Sequence, residues 1–156
     1  MRRMSPGGGK LEENILKELA YFGFDESDNI ESISFNTAEE AKEGLGNSIA
    51  EGFTKRLEER YGKRYIKPLL FFHECTENAY NHGKGRIEIF YSLNNTFKLA
   101  VFDEGDGFNP DKLPNPTDKQ NLCKGGGRGI FIMKLYSDSI RWNEKGNKVG
   151  VIKYIG

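Results

Sequence analysis

Apolar positions along the chain recur with two different periods. Leu11, Ile15, Leu16 and Leu19 follow helical spacing and Gly23 closes the segment, which predicts a short amphipathic helix. Ile33 and Phe35 alternate with serines, which predicts a strand near Ile30 to Phe35. Thr37-x-x-Glu40 has the capping-box pattern, in which hydroxyl and carboxylate satisfy amides that a helix start leaves unpaired. The stripe Ala38, Ala41, Leu45, Ile49, Phe53, Leu57 and Tyr61 continues from it to Gly62, and Gly44, Gly46 and Gly52 invite a kink. The next helix should start near Pro68 and end at Gly83, with Leu69, Phe72, Thr76 and Ala79 inward.

Beyond Gly83, the alternation Ile87, Ile89, Tyr91, a turn at Asn94-Asn95 and the run Phe97 to Phe102 predict a hairpin. Residues 108–124 hold Pro110, Pro114 and Pro116, a long connection of the kind that works as a lid. Ile130 to Tyr136 is expected as a short helix opened by glycines. Ile140 and Trp142 begin a last hairpin that turns at Lys145-Gly146-Asn147 and returns through Val149, Val151 and Ile155. Runs of strands beside runs of helices predict an α+β sandwich.

Composition narrows the classes. The 156 residues make one domain, read as 11–156 behind a flexible leader at 1–10, with 11–26 as an additional N-terminal helix. Lys plus Arg equals Asp plus Glu at 23 each, so no basic field points to nucleic acid. Cys75 and Cys123 have no paired ligand spacing, and only His73 and His82 could assist them, which argues against a disulfide framework and a zinc site. No run approaches the ~18 apolar residues of a membrane span, and the leader has no apolar signal core. A soluble, cytoplasmic protein is expected.

Three blocks carry candidate chemistry. Glu74 and Asn78 lie four apart on one predicted helix and so share a face. A carboxamide oxygen at Asn78 suits magnesium, and Glu74 one turn away can take a proton from an attacking hydroxyl. The competing reading is a solvated helix face. His82, farther along that face, would orient the pair or cap the helix end. Asp103 ends an apolar strand ahead of Gly105, Gly107 and Phe108. A carboxylate only accepts hydrogen bonds, so it selects the exocyclic amino group of adenine, while glycines admit a flat ring; the alternative is an ordinary glycine turn. Gly125 to Gly129 opens a helix whose free amides and dipole favour phosphate, with Arg128 as an added charge, or else forms a plain hinge. No Gly-Lys-Ser/Thr follows, so this is not a P-loop.

Taken in order, these blocks resemble the Bergerat-fold ATPases, the superfamily of gyrase-type ATPases, heat-shock chaperones and histidine-kinase ATP domains. His73-Glu74-Cys75-Thr76-Glu77-Asn78-Ala79-Tyr80-Asn81-His82-Gly83 and Gly127-Arg128-Gly129-Ile130-Phe131-Ile132-Met133 are most similar to the small anti-sigma-factor serine kinases. The resemblance implies a two-layer sandwich with a mixed, mostly antiparallel sheet of four or five strands and helices on one face. It implies Glu74 as catalytic base, Asn78 as magnesium ligand and Asp103 as adenine contact. His82, Gly105, Gly107, Phe108, Gly126, Gly127, Arg128, Gly129 and Ile130 complete the expected ATP-contact set. It also implies serine/threonine phosphorylation of a small antagonist protein, binding of a sigma factor, and homodimers. Two other functions stay open: a nucleotide-gated interaction module without phosphoryl transfer, and a detached histidine-kinase ATP domain, which the lack of a phospho-accepting helix pair disfavours.

Overall fold

The structure is a computed structural model that describes residues 3–5, 11–112 and 128–156. Its strands are β1 (Arg3–Ser5), β2 (Glu31–Phe35), β3 (Ile87–Leu93), β4 (Thr96–Phe102), β5 (Ser139–Trp142) and β6 (Lys148–Tyr154). Its helices are α1 (Glu13–Tyr21), α2 (Ala38–Leu45), α3 (Ser48–Tyr61), α4 (Ile66–His82) and α5 (Arg128–Tyr136). The strands form one sheet in the order β1-β2-β3-β4-β6-β5.

The α+β sandwich is as expected, with two differences in detail. Every neighbouring pair among the described strands is antiparallel, where a mixed sheet was implied. Two tight hairpins, β3–β4 and β5–β6, impose that direction on four of the strands. Strand β1 is the sixth, formed by residues read as leader and paired from Arg3 with Ser34 to Ser5 with Ser32. The second difference lies in the faces. Helices α2 to α5 cover one face, as expected, while α1 covers the other.

Alternation in β3 and β4 explains why both faces need cover. Ile87, Ile89, Tyr91, Leu99 and Val101 point into the main core with Phe35, Phe53, Leu57, Phe71, Phe72 and Met133. The intervening Phe90, Ala100 and Phe102 point the opposite way, into a second cluster with Leu19, Phe22 and Phe24. The alternation read for β3 makes the positions between Ile87, Ile89 and Tyr91 polar or exposed, yet Phe90 is buried. Lys98, on the same side, is buried with Asp28 at 2.7 Å and donates to the Gly23 carbonyl at 2.8 Å. That pair fastens the α1–β2 connection to the sheet, with Ser92 donating to Asp28 at 3.0 Å.

On the main face the expected long helix is two. It ends at Leu45, with Gly46 as its cap and Asn47 leaving the helical path, and restarts at Ser48. Gly44 and Gly46 weaken the last turn of α2, so ending the helix there costs little. The Thr37 cap forms, accepting from the Glu40 amide at 3.1 Å, and Glu40 reaches back to the Asn36 amide at 3.2 Å. Helix α4 starts at Ile66, two residues before Pro68, because a 3₁₀ turn over Gly62–Tyr65 leads into it. Phe71, Phe72, Cys75, Thr76 and Ala79 bury its inner face, so the strip bearing Glu74, Asn78 and His82 flanks the core rather than entering it.

Leu19 is fully buried at the centre of the second cluster. Leu19→Ala should therefore cost about 2–5 kcal/mol, the range for a buried leucine truncation. Urea denaturation checks this: a lower midpoint with an unchanged slope is expected, and an unchanged midpoint would mean that α1 adds nothing to the folded core.

Candidate functional site

Helix α4, the end of β4 and the β5–β6 hairpin enclose a cleft of about 490 Å³. Glu74, Asn78 and His82 line one wall, Asp103, Gly107 and Phe108 the floor, and Gly129 and Ile130 the far end. The structure thus brings together residues from three separated blocks. Glu74 and Asn78 are half-buried, while His82 is exposed at the end of α4. Gly105 is buried beside Asp103 and supports the floor from below. Arg128 begins α5 and is exposed. Gly125, Gly126 and Gly127, Cys123 and the lid stretch 113–124 lie outside the described residues.

Asp103 sits where β4 ends. Its Oδ1 accepts from the Gly105 amide at 2.6 Å, and its own amide donates to the Asn147 carbonyl at 3.0 Å. Gly83 and Gly105 press on it so closely that a Cβ on either would collide with the carboxylate. Burial pushes its pKa above the ordinary aspartate value, and the amides of Gly105 and Lys84 pull it back only in part. A half-buried carboxylate of this kind is set to accept a further donor.

Glu74 is also raised, first by burial and then by the neighbouring Glu77 charge. Its carboxylate rests on Gly129 in the first turn of α5, where any Cβ would overlap it. That contact needs glycine because the helix backbone and the carboxylate meet without an intervening side chain. Negative charge at a helix start is favoured by the free amides and the dipole.

The hairpin supplies a wall that sequence reasoning did not find. Gly107 (φ +75°) faces the Lys145 carbonyl, and Gly146 (φ +83°) faces the Phe108 backbone, so two backbone turns meet directly. Asn143 Oδ1 accepts from the amides of Gly146 at 2.9 Å, Asn147 at 3.0 Å and Lys148 at 3.0 Å. Asn147 then donates to the Gly105 carbonyl at 3.1 Å. Trp142 lines the cleft and packs edge-on to Phe108 at 6.2 Å between centroids. The glycine in Lys145-Gly146-Asn147 was the available signal, but a turn glycine does not reveal what it approaches.

The site suits a nucleotide and magnesium on its own chemistry. The close contacts at Gly107 and Gly129 keep the floor and far end of the cleft free of side chains at those positions, and Asp103 offers an acceptor to the amino group of an adenine. Among the described residues no three metal-binding side chains cluster, so a hard cation here would rely on the Asn78 carboxamide and on oxygens of the ligand, as magnesium commonly does with phosphates.

Comparison with known proteins agrees. A family model described as the histidine kinase-like ATPase domain matches residues 63–153, a span that holds α4, the hairpins, α5 and the whole cleft. The chain belongs to the histidine kinase-like ATPase family. The family is an ATP-binding one, and the Bergerat-type fold expected from the three blocks is the one observed. No curated protein matches the chain. Among the described residues, no helix is long and apolar enough to cross a membrane.

Removing the Asn143 side chain strands the half-buried amides of Asn147 and Lys148 and leaves Gly146 only the Asn143 backbone carbonyl. Asn143→Ala should cost about 1–3 kcal/mol, the price of leaving such groups unpaired. Thermal unfolding measures the loss, and hydrogen exchange should place it in residues 143–149; a loss spread evenly over the chain would contradict the assigned role.

Proposed function

We propose that this chain is a magnesium- and ATP-dependent serine/threonine kinase of the anti-sigma-factor type. It phosphorylates a small antagonist protein and controls a sigma factor by binding, working as a cytoplasmic homodimer. The observation that carries this reading is the pairing of Glu74 and Asn78 on one wall of the cleft that Asp103 floors. Family membership supports ATP as the nucleotide.

In this reading Asp103 accepts from the adenine amino group, and Gly105, Gly107 and Phe108 shape the floor beneath the ring. Gly126, Gly127, Gly129 and Ile130 take the triphosphate end, with Arg128 as a further positive charge and His82 at the outer edge. Asn78 holds magnesium through its carboxamide oxygen; bound there, the ion would neutralise phosphate charge. Glu74 takes the proton of the acceptor hydroxyl. Its raised pKa suits that task, since a base works best when its affinity for the proton approaches that of the medium.

A second reading, a nucleotide-gated interaction module without phosphoryl transfer, draws on the seat of Glu74 against Gly129. A carboxylate there already sits against the first turn of α5, and an arriving phosphate would compete for the same place. Incubating the protein with labelled ATP and a candidate antagonist separates the two.

For the kinase, Glu74→Gln should reduce transfer by at least about 100-fold, the usual worth of a general base, while ATP affinity measured by calorimetry stays within a few-fold. Equal loss of both would contradict the base assignment. Asp103→Asn should weaken ATP, because an amide can turn its own donor towards the amino group.

The pH dependence has a definite sign. Transfer should rise with pH as Glu74 ionises, through an apparent pKa above that of free glutamate. Glu77→Gln removes a like charge and should move that acid limb to lower pH. A limb that stays in place in the Glu77 variant would assign it to another group.

A further inference from the structure

Helix α1 lies outside the matched span 63–153 and on the face of the sheet opposite α4. It nevertheless grips the hairpin that walls the cleft. Glu18 is ion-paired with Lys148, the first residue of β6, whose ammonium also lies 4.9 Å from the Phe102 ring centre. The Tyr21 hydroxyl donates to the Trp142 carbonyl at 3.1 Å. Arg141 donates to the Tyr21 carbonyl at 3.0 Å and stacks 4.9 Å above the Tyr21 ring. These contacts bracket the turn from both strands: Arg141 and Trp142 on β5, Lys148 on β6.

The fit beneath them is close. A Cβ on Gly150 of β6 would come within 2.6 Å of the Phe22 Cβ, and one on Gly23 would strike Ile152. Strand β5 is an edge strand, paired only with β6 among the described strands. The end of the hairpin therefore takes its support from three sources: β4, the Gly107 turn and α1.

We propose that α1 is a strap for the nucleotide cleft, with Glu18 and Tyr21 as positioning residues that act through the β5–β6 hairpin. When α1 is docked, the hairpin holds Trp142 and the Asn143–Lys148 turn against the Gly107 loop. When α1 lifts, that wall loosens and the cleft loses its binding shape. Linkage makes the effect reciprocal: a nucleotide that needs the closed wall raises the cost of lifting α1. The second half of the proposal rests on nucleotide binding in this cleft, and the first half does not.

Hydrogen exchange on the full chain tests both. Without nucleotide, Glu18→Lys should speed exchange at the Gly146, Asn147 and Lys148 amides by about fivefold, the effect of losing roughly one net hydrogen bond. Amides in the middle of α4 should not change. Adding Lys148→Glu to Glu18→Lys restores the opposite charges and should return the hairpin to its original rate. Tyr21→Phe, which removes one hydroxyl, should loosen the same amides while leaving the fold intact.

In the unaltered protein, Mg-ATP at ~100 times its Kd should slow α1 amides from Leu16 to Tyr21 by up to about 100-fold, the full mass-action effect. Hairpin exchange indifferent to Glu18→Lys and Tyr21→Phe would overturn the strap. Exchange in α1 indifferent to bound nucleotide would overturn the coupling. If calorimetry finds no ATP binding, the proposed function falls, and the nucleotide-free exchange still decides whether α1 holds the hairpin.

Discussion

Two turns from distant parts of the chain meet backbone to backbone, and the cleft depends on that meeting. Gly107 follows the β4 strand that delivers Asp103, and Gly146 tips the β5–β6 hairpin. Each has positive φ and each faces a carbonyl of the other turn, so a side chain at either would push the two apart. Their contact sets how far Trp142 stands from Phe108 and where Asp103 sits between hairpin and α4. Asn143 and Asn147 then convert a close approach into a bonded one, by taking up amides that neither strand ladder can use.

Around this junction the sheet is built to be buried from both sides. Strands β3 and β4 present large side chains alternately to α2–α5 and to α1, which leaves little tolerance for shifts in register. The carboxylates of the site stand at the boundary of that packing. Asp103 and Glu74 are half-buried, and burial raises both pKa values. Each therefore carries a desolvation cost that a hydrogen-bond donor or proton relieves, which is how a ligand-free cleft stores affinity for what it binds. Because both folded values are raised, the folded state holds these protons more tightly than the unfolded chain does. Their ionisation lowers stability as pH rises from the ordinary carboxylate value through the raised one.

Much of this was legible in the sequence because it is local. The four-residue spacing of Glu74 and Asn78 sets a shared helix face wherever the helix packs, and a strand that ends in Asp103 before two glycines announces a sharp exit. The Thr37 cap and both hairpins are likewise short-range. What escaped is non-local. Phe90 reads as an outward position of an amphipathic strand, and only the docking of α1 and the residues after it gives it a buried partner. Gly44, Gly46 and Gly52 invited a kink within one helix, and the stripe of apolar positions, continuous through the region, gave no sign that the helix ends at Leu45 and restarts at Ser48. The hairpin wall with Trp142 is invisible from residues 139–149 alone, since what makes it a wall is the Gly107 turn some 40 positions earlier.

The proposed function turns on Asp103 selecting the nucleotide by the 6-amino group of adenine, which guanine lacks at that position, and on magnesium at the phosphates. The most direct measurement is the melting temperature of the purified protein with ATP and with GTP, each with and without magnesium. Binding to the native state alone raises stability by mass action, so a rise with ATP that magnesium enlarges, and little or none with GTP, is the expected result. Equal rises with both nucleotides, or no rise with either, would contradict it.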